Sequence, residues 1–523
     1  MSTKNTEVPI LVVGGGAAGT MLSLELARRG VDARTIDRMP APGDTSRALV
    51  VHARTAEILE CIDERLIARY VERAIHNRGY VLHFVDADGK RSEVRPGLDF
   101  TQLDCRYPYM LIHGQCDTEN NIRDYMRDEY GFEIEWDTKL TDVRQDGDDV
   151  TATLVRGADG EQERVRCRYL IACDGINSRV RQTLDVKQEE SDYTGTVLQN
   201  MDVFLNDFPD VDDYVHYCAG TDHFIMVVKL PGGFYRLLLS DRGEAADPNI
   251  KPEVAFMNLV DQHFDGVSLG KLVWHSRWES WVRLVDAYRQ GNVILTGDSA
   301  HVHSTTGGQG MNCCMQDAWN LGWKLGLVMN GQARPELLDT YESERRPIAE
   351  QVIWAASSLH EIFMGHGKDI GERARKINDR GFLDAVVGRC SGISYTYRDY
   401  IDQPAGLAEC PGPAIGDRAP DADLSHGKAL FQLLRHTGFT LLAMPAGKQI
   451  TSDTDKALGS LQDRFHPVLR SHSLESSADL EKHYGRSADD RLYLVRPDGY
   501  IGYRCLASEA DRLASYLGKF LTT

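Results

Sequence analysis

The sequence is short of positive charge: 59 Lys and Arg stand against 78 Asp and Glu, for a formal net charge of −19. A surface of that sign repels a phosphate backbone, which excludes nucleic acid as a partner. Otherwise the acidity serves solubility. No run approaches the roughly 20 apolar residues that a membrane span needs, so no membrane contact is expected. The opening stretch, MSTKNTEVPILVVGGG, has neither a basic segment nor a cleavable apolar core, and no export signal is read there. The eleven cysteines are odd in number and contain no C-x-x-C. The one adjacent pair, Cys313-Cys314, falls inside a helical pattern, where disulfides are rare. A reduced, cytoplasmic protein is the expectation. Internal repeats and low-complexity segments are also missing. At 523 residues the chain exceeds what one core usually serves, which predicts two or three domains.

The patterning is α/β. Residues 8–38 alternate as strand, helix and strand, with VPILVVG, AAGTMLSLELARRG and VDARTID. We read residues 1–184 as the first part of a Rossmann-type domain, with an inserted substrate-side segment at about 75–110. Residues 185–282 read as a β-rich substrate domain, with DYVHYCAG, HFIMVVKLPGG and FYRLLLSD separated by turn residues. Residues 283–400 read as the second part of the first domain and a helical region. The Pro-, Gly- and Asp-rich stretch 401–424 reads as a linker, and 425–523 as a separate small α/β domain.

LVVGGGAAGT sets Gly14, Gly16 and Gly19 in G-x-G-x-x-G spacing between a strand and a helix. The first glycine permits the turn, the second lets a pyrophosphate approach, and the third lets helix and strand pack. The phosphates then meet the positive end of the helix. Asp37 closes the second strand 18 residues past Gly19, where a carboxylate holds a ribose hydroxyl. A dinucleotide is the ligand read here. Two further strands end in acid, CDGINSRVR at Asp174 and GDSAH at Asp298. Each alone is more often a helix cap or turn former. Together, after a Rossmann start, they ask for a ligand that runs across the domain, and FAD is long enough. The helix from Gly310 presents Met311, Cys314, Ala318, Leu321, Leu325 and Val328 at helical spacing, which predicts one buried face. Its free N–H groups would stabilise negative charge on a reduced flavin ring.

These residues, together with SRALVVHARTAEIL, GGQGMN, DAWNLGWKL and YESERRP, resemble the single-component FAD-dependent aromatic hydroxylases over about residues 8–350. GDRAPDADL and LVRPDGYIGYR are similar to the thioredoxin-like C-terminal domain of the phenol-hydroxylase branch. The resemblance implies a glutathione-reductase-like FAD fold interleaved with a β-sheet substrate domain, and a tail without thiol chemistry that packs on the body or supports a homodimer. It implies that Gly14, Gly16, Ala18 and Gly19 border the FAD pyrophosphate, with Asp37 on the adenosine ribose. Arg38 and Gln115 would touch the adenosine side and the ribityl or phosphate region. Asp298 would hold the ribityl chain, and Gly310, Met311 and Asn312 would face the pyrimidine ring. Asp174 and Arg181 would serve both FAD and a passing NADPH or NADH, and Arg47 would lie near a mobile flavin. The implied reaction takes NAD(P)H and O2 and hydroxylates a small aromatic substrate through a C4a-hydroperoxyflavin. Baeyer–Villiger oxygenation, epoxidation or drug inactivation on the same fold, and a non-catalytic flavin-binding module, are the alternatives.

The chain also departs from that family. Ser304 and Thr305 stand where relatives have two prolines, so the loop keeps rotational freedom and gains two hydroxyls that either meet substrate or tie the loop down. Leu49, Leu230 and Leu238 stand where phenol hydroxylases use polar side chains on the phenol. Strand parity sets Phe224, Met226 and Val228 on the face of Leu230, which predicts an apolar substrate wall. His52, His216, Tyr217 and Arg236 are the candidates for polar or catalytic contact, each more often structural. A larger, partly hydrophobic phenol, already acidic, is the substrate read from this wall.

Overall fold

A computed structural model of the chain describes residues 4–157, 160–190, 196–209, 213–240, 247, 249–365, 370–377, 379–406, 408, 410–424 and 427–522. Parts of the expected β-rich segment (191–195, 210–212, 241–246 and 248) and of the expected linker (407 and 409) lie outside these residues.

The first sheet has a parallel centre in which Val293–Leu295, Glu161–Ala172, Lys4–Val13 and Ala33–Ile36 lie side by side. Their apolar runs are covered on both faces, as parallel strands require. The registers Val13↔Ala172, Val13↔Ile36 and Ala172↔Leu295 align the carboxyl ends. Gly14, Asp37, Asp174 and Asp298 therefore emerge at one edge of the sheet, where open α/β sheets bind ligands.

The second sheet has seven strands, ordered Ser268–Ser280, Thr196–Asn206, Tyr235–Ser240, Phe224–Lys229, Tyr214–Ala219, Gly79–Val85 and Arg91–Asp99. Side chains alternate across it. Cys218, Ile225, Val227, Leu237 and Leu239 pack with Phe256 and Val260 of the helix Pro252–His263. Tyr217, Phe224, Val228 and Leu238 pack on the other face with Leu359 and Phe363 of the helix Asp339–Met364.

The helix Gly310–Met329 differs from its expected single buried face: every residue from Met311 to Val328 is buried. It is covered on two sides. A Cβ on Gly322 would come within 2.5 Å of Glu25 Cβ, and one on Gly326 within 2.1 Å of Arg29 Cδ, so these glycines let the helix Ala17–Arg28 lie close. On another side Trp323 meets Phe439 edge-on at 5.6 Å. Asp317 lies between His301 and Arg345, at 2.6 Å from each. Cys313 joins this cluster, and Arg345 supplies the positive charge that such a set would otherwise ask of a metal ion.

The C-terminal sheet runs Leu469–Ser473, Phe439–Met444, Arg491–Val495, Ile501–Leu506. The first two strands are parallel and the other pairings antiparallel. It is joined to the body by buried charge. Glu344 accepts from Lys324 at 2.8 Å and from both Arg496 amino groups at 2.7 and 2.8 Å, and Arg496 also pairs with Asp498. From Cys410 onward the expected linker is packed: Cys410, Ile415, Ala419 and Ala422 are buried, and Arg418 reaches Glu57 at 3.0 Å. Its Pro/Gly/Asp composition marks irregular backbone, which does not oblige a segment to be free. All eleven cysteines are unpaired and none is exposed.

Candidate cofactor and substrate site

The turn after Lys4–Val13 is built from steric necessity. Gly14 sits at φ +109°, and a Cβ there would lie 2.2 Å from Cys173 O. A Cβ on Gly19 would lie 1.8 Å from Gly14 O, so the helix packs directly on the turn. Gly16 is different: the nearest atom to its Cβ position is Glu119 Oε1 at 4.0 Å, which leaves open space in front of the helix. Asp37 accepts from the N–H groups of Gly15 at 2.7 Å and Met39 at 2.8 Å, and these bonds fix the turn against the second strand. Two lone-pair directions of its carboxylate stay available for a hydroxyl. Arg38 is exposed.

A cleft of about 430 Å³ runs from this turn to the second sheet. Gly16, Ala18, Gln115, Asp298, Gly310 and Met311 border one end of it. Within the central helix the first hydrogen bond runs from Cys313 N–H to Gln309 O, so the N–H groups of Gly310, Met311 and Asn312 precede the ladder. The Asn312 side chain does not line the cleft. It donates to Val50 O at 2.8 Å and accepts from His52 N–H at 2.9 Å, pinning the segment 50–52 to the helix. Asp174 likewise lies off the cleft and takes the capping role. One oxygen accepts from Arg179 N–H at 2.7 Å and Val180 N–H at 3.2 Å, and burial raises its pKa. Arg181 donates to Ser299 O and Ile176 O, tying two loops of the wall together.

The loop 303–309 closes the middle of the cleft. Gly307 and Gly308 have φ +92° and +65°, which side chains resist. Ser304 is tied down: its Oγ bonds Thr306 Oγ1 at 2.9 Å and His360 Nδ1 at 3.1 Å. Thr305 and His303, a residue that sequence reasoning missed, both line the cleft. Thr305 Oγ1 and His303 Nε2 are buried there with no partner among the described residues. His52 sits off the cleft and braces the loop through Gly307 O at 2.9 Å. Burial lowers its pKa to about 4, so at neutral pH the ring is uncharged.

The second sheet supplies the far wall. Tyr217 pairs with Met226, Met226 with Leu238, Leu238 with Asn200, and Asn200 with Ser276. This row crosses five strands on one face. The next row brings Val228, Arg236 and Asp202 together. Leu49, Val215, Met226, Val228 and Leu238 make the centre of the wall apolar. Phe224 and Leu230 share the face but lie beyond the cleft, Phe224 being packed on Tyr217 and Phe363. Tyr217 OH accepts from Gly307 N–H at 3.3 Å, and burial pushes its pKa up. Arg236 is already engaged, bidentate to Asp202 at 2.5 and 2.6 Å. Arg47 is exposed at the mouth, 5.9 Å from the centre of the Trp278 ring, and makes no ion pair among the described residues.

His216 is the clear departure. It points to the opposite face, where its Nδ1 lies 3.0 Å from His83 Nε2, because adjacent strand residues face opposite ways. Asn200, Tyr80, Trp278 and Trp281 line the cleft and were not singled out from sequence. Parity along QNMDV and the spaced tryptophans of WHSRWESW carried the available signal.

The profile of the FAD binding domain family matches residues 7–356, and that of the aromatic-ring hydroxylase C-terminal family matches residues 412–523. The chain is 38% identical to pentachlorophenol 4-monooxygenase of Sphingobium chlorophenolicum, over 99% of this chain and 97% of that one. It is 36% identical to 6-methylpretetramide 4-monooxygenase of Streptomyces rimosus, over 97% and 92%. Among solved structures it is similar to the anhydrotetracycline hydroxylase OxyS from Streptomyces rimosus, with TM-score 0.76 and 27% identity over 98% of each chain. It is also similar to aklavinone-11 hydroxylase in a ternary complex with FAD and aklavinone, with TM-score 0.77 and 25% identity over 99% of each.

Proposed function

We propose, for a chain that belongs to the FAD-dependent aromatic-ring hydroxylases, that the ring it oxidises is a large and mostly apolar phenol, taken up as its phenolate. The enzyme is a flavin monooxygenase that consumes a reduced nicotinamide and O2. One observation carries the substrate reading: the wall facing the cofactor end is made of Leu49, Val215, Met226, Val228 and Leu238, with no carboxylate at its centre among the described residues. Such a wall rewards apolar area at roughly 25 cal/mol per Å². It leaves deprotonation to the acidity of the phenol itself. The relatives named above act on pentachlorophenol and on a pretetramide, the first being a phenol of this kind.

When bound, FAD accepts hydride and activates oxygen, and the protein supplies placement, exclusion of water and electrostatics. The residues fit it. The open space before Gly16 and Ala18 suits a pyrophosphate. Gly14 and Gly19 shape that turn. Asp37 is assigned to the adenosine ribose, Arg38 and Gln115 to the adenosine and ribityl sides, and Asp298 to the ribityl chain. The N–H groups of Gly310, Met311 and Asn312 are assigned to the electron-rich edge of the isoalloxazine, an interaction of about 1–2 kcal/mol in such settings. Arg47, exposed at the mouth with no ion pair among the described residues, places positive charge where ring and substrate enter. Tyr217 holds loop 303–309 through Gly307, and Arg236 holds Ser46 and Arg47 through their carbonyls.

Finer assignments follow the same lines. A four-stranded sheet with one parallel and two antiparallel pairings supports a thioredoxin-like reading of the C-terminal domain. Exposed Leu272 and Val273 on the edge strand Ser268–Ser280, with Phe204 on the strand next to it, support a homodimer, which sedimentation velocity tests directly.

The deciding experiment is anaerobic stopped-flow reduction of the bound FAD by NADPH and by NADH, with phenols graded in size and acidity. We expect bulky acidic phenols to accelerate bleaching of the flavin band by at least about tenfold over small, weakly acidic ones. Equal rates with and without every phenol would overturn the substrate reading.

A further inference from the structure

At one end of the apolar wall the structure leaves a group of polar atoms that the fold does not use. Asn200 is only 2% exposed and borders the cleft, yet its amide makes no hydrogen bond among the described residues. Trp278 lies one strand away on the same face, diagonal to Asn200 through the pairs Leu198↔Trp278 and Asn200↔Ser276. Its indole Nε1–H is buried without a partner, and so is Ser276 Oγ beside it. A buried polar atom left unpaired costs free energy, and Trp278 Nε1–H, on a residue that borders the cleft beside the uncommitted Asn200 amide, marks where a ligand's own polar atom belongs.

The chemistry selects the ligand group. Indole N–H donates and cannot accept, and the amide NH2 of Asn200 offers two more donors. A hydrogen-bond acceptor that bears negative charge is therefore favoured over a donor. Of the charged groups that face this corner, Arg47 is the one that adds an unneutralised positive charge. Arg47 lies over the Trp278 ring with no carboxylate partner among the described residues, and Arg236 is neutralised by Asp202. Glu279, the opposing charge, is exposed at the rim.

We infer that Trp278 Nε1–H and the Asn200 amide form the receptor for the phenolate oxygen of the substrate, with Arg47 supplying the field. This deepens the substrate reading above and rests on it. The two residues set specificity by holding the ionised form, and no protein base is required. They also fix orientation: the oxygen sits at the Asn200–Trp278 end, and the ring lies along Leu238 and Met226 toward loop 303–309.

Calorimetric titration of the FAD-loaded, full-length protein tests this. The probes are 4-nitrophenol, above its own pKa, and its methyl ether 4-nitroanisole. Hydrogen bonds to charged groups predict that Trp278→Phe and Asn200→Leu each weaken the phenolate about tenfold or more. Binding of the ether should stay within about twofold. Equal weakening of both probes, or no change in either, overturns the receptor. Trp278→Phe keeps an aromatic ring and removes the N–H with part of the ring area; lost area weakens both probes alike and a lost N–H weakens the phenolate selectively, so this variant decides the matter alone should Asn200→Leu fail to retain FAD. If 4-nitrophenol speeds flavin reduction in the wild type while both variants bind it unchanged, the receptor is wrong and the substrate reading stands. If the wild type neither binds the phenol nor responds to it, both fall.

Discussion

Single glycines in the first turn separate folding from cofactor binding. Gly19→Ala drives a methyl against Gly14 O, a backbone atom that cannot yield, and we expect about 1–3 kcal/mol or more of lost stability even without FAD. Gly16→Ala meets nothing closer than 4.0 Å. It should leave the melting temperature of FAD-stripped protein near wild type while FAD affinity falls, which fluorescence titration of FAD measures. A variant that disturbs both equally would contradict the assignment of Gly16 to the pyrophosphate. This turn was legible in the sequence because its constraint is local: three glycines and one strand settle it. His216 was not legible, because Tyr214–Ala219 is buried on both faces and shows no polar–apolar alternation to set its phase. Asn200 escaped for the opposite reason. It sits among the polar residues Gln199 and Asp202, with only Met201 between, where one buried amide looks like its neighbours until cross-strand registers are known.

Elements packed through neutral histidines lose their hold in acid. His223 and His263 join the 220s turn to the helix Pro252–His263 through ring nitrogens 2.8 Å apart. Burial lowers their pKa values to about 4 and 3, and that of His83 to about 4. These folded-state values lie below the unfolded 6.5, so the unfolded chain takes up protons first. Stability is full above about pH 6.5 and declines as pH falls toward 4. Fully buried His52 alone contributes about 3 kcal/mol to that decline. Melting temperatures recorded from pH 8 to pH 4 should be flat and then fall below about 6.5, and a flat profile throughout would refute this. The central helix depends on a different device. Asp317→Asn removes one partner from a buried ion cluster and leaves Arg345 uncompensated, a change of about 3–5 kcal/mol read by chemical denaturation. The helix's existence was evident from its pattern. Its burial on every side was not, since the covering came from the helix Ala17–Arg28 on one side and from the C-terminal domain on another, both far away in sequence.

At the scale of the molecule, the C-terminal domain and the FAD domain share one interior. Glu344, Lys324, Arg496 and Asp498 are all buried where the two meet. We expect scanning calorimetry to give one cooperative transition for the whole chain. Arg496→Met should lower its midpoint without splitting it, and two resolved transitions would show that the domains stand independently. The strands of that domain were readable from sequence. Their buried attachment was not, because a charged residue in a sequence gives no sign of whether its partner will come from another domain. The distribution of sulfur has a consequence of its own. Any flavin monooxygenase that reduces its cofactor without delivering oxygen to substrate releases hydrogen peroxide beside its own thiols. Peroxide attacks thiolates, and here burial holds Cys61, Cys105, Cys167, Cys390 and Cys505 up to about 12, with Cys173, Cys218 and Cys314 also well above the usual value. At these positions the enzyme carries almost no oxidisable sulfur anion, so wasted turnovers cost it reductant and leave those side chains chemically intact.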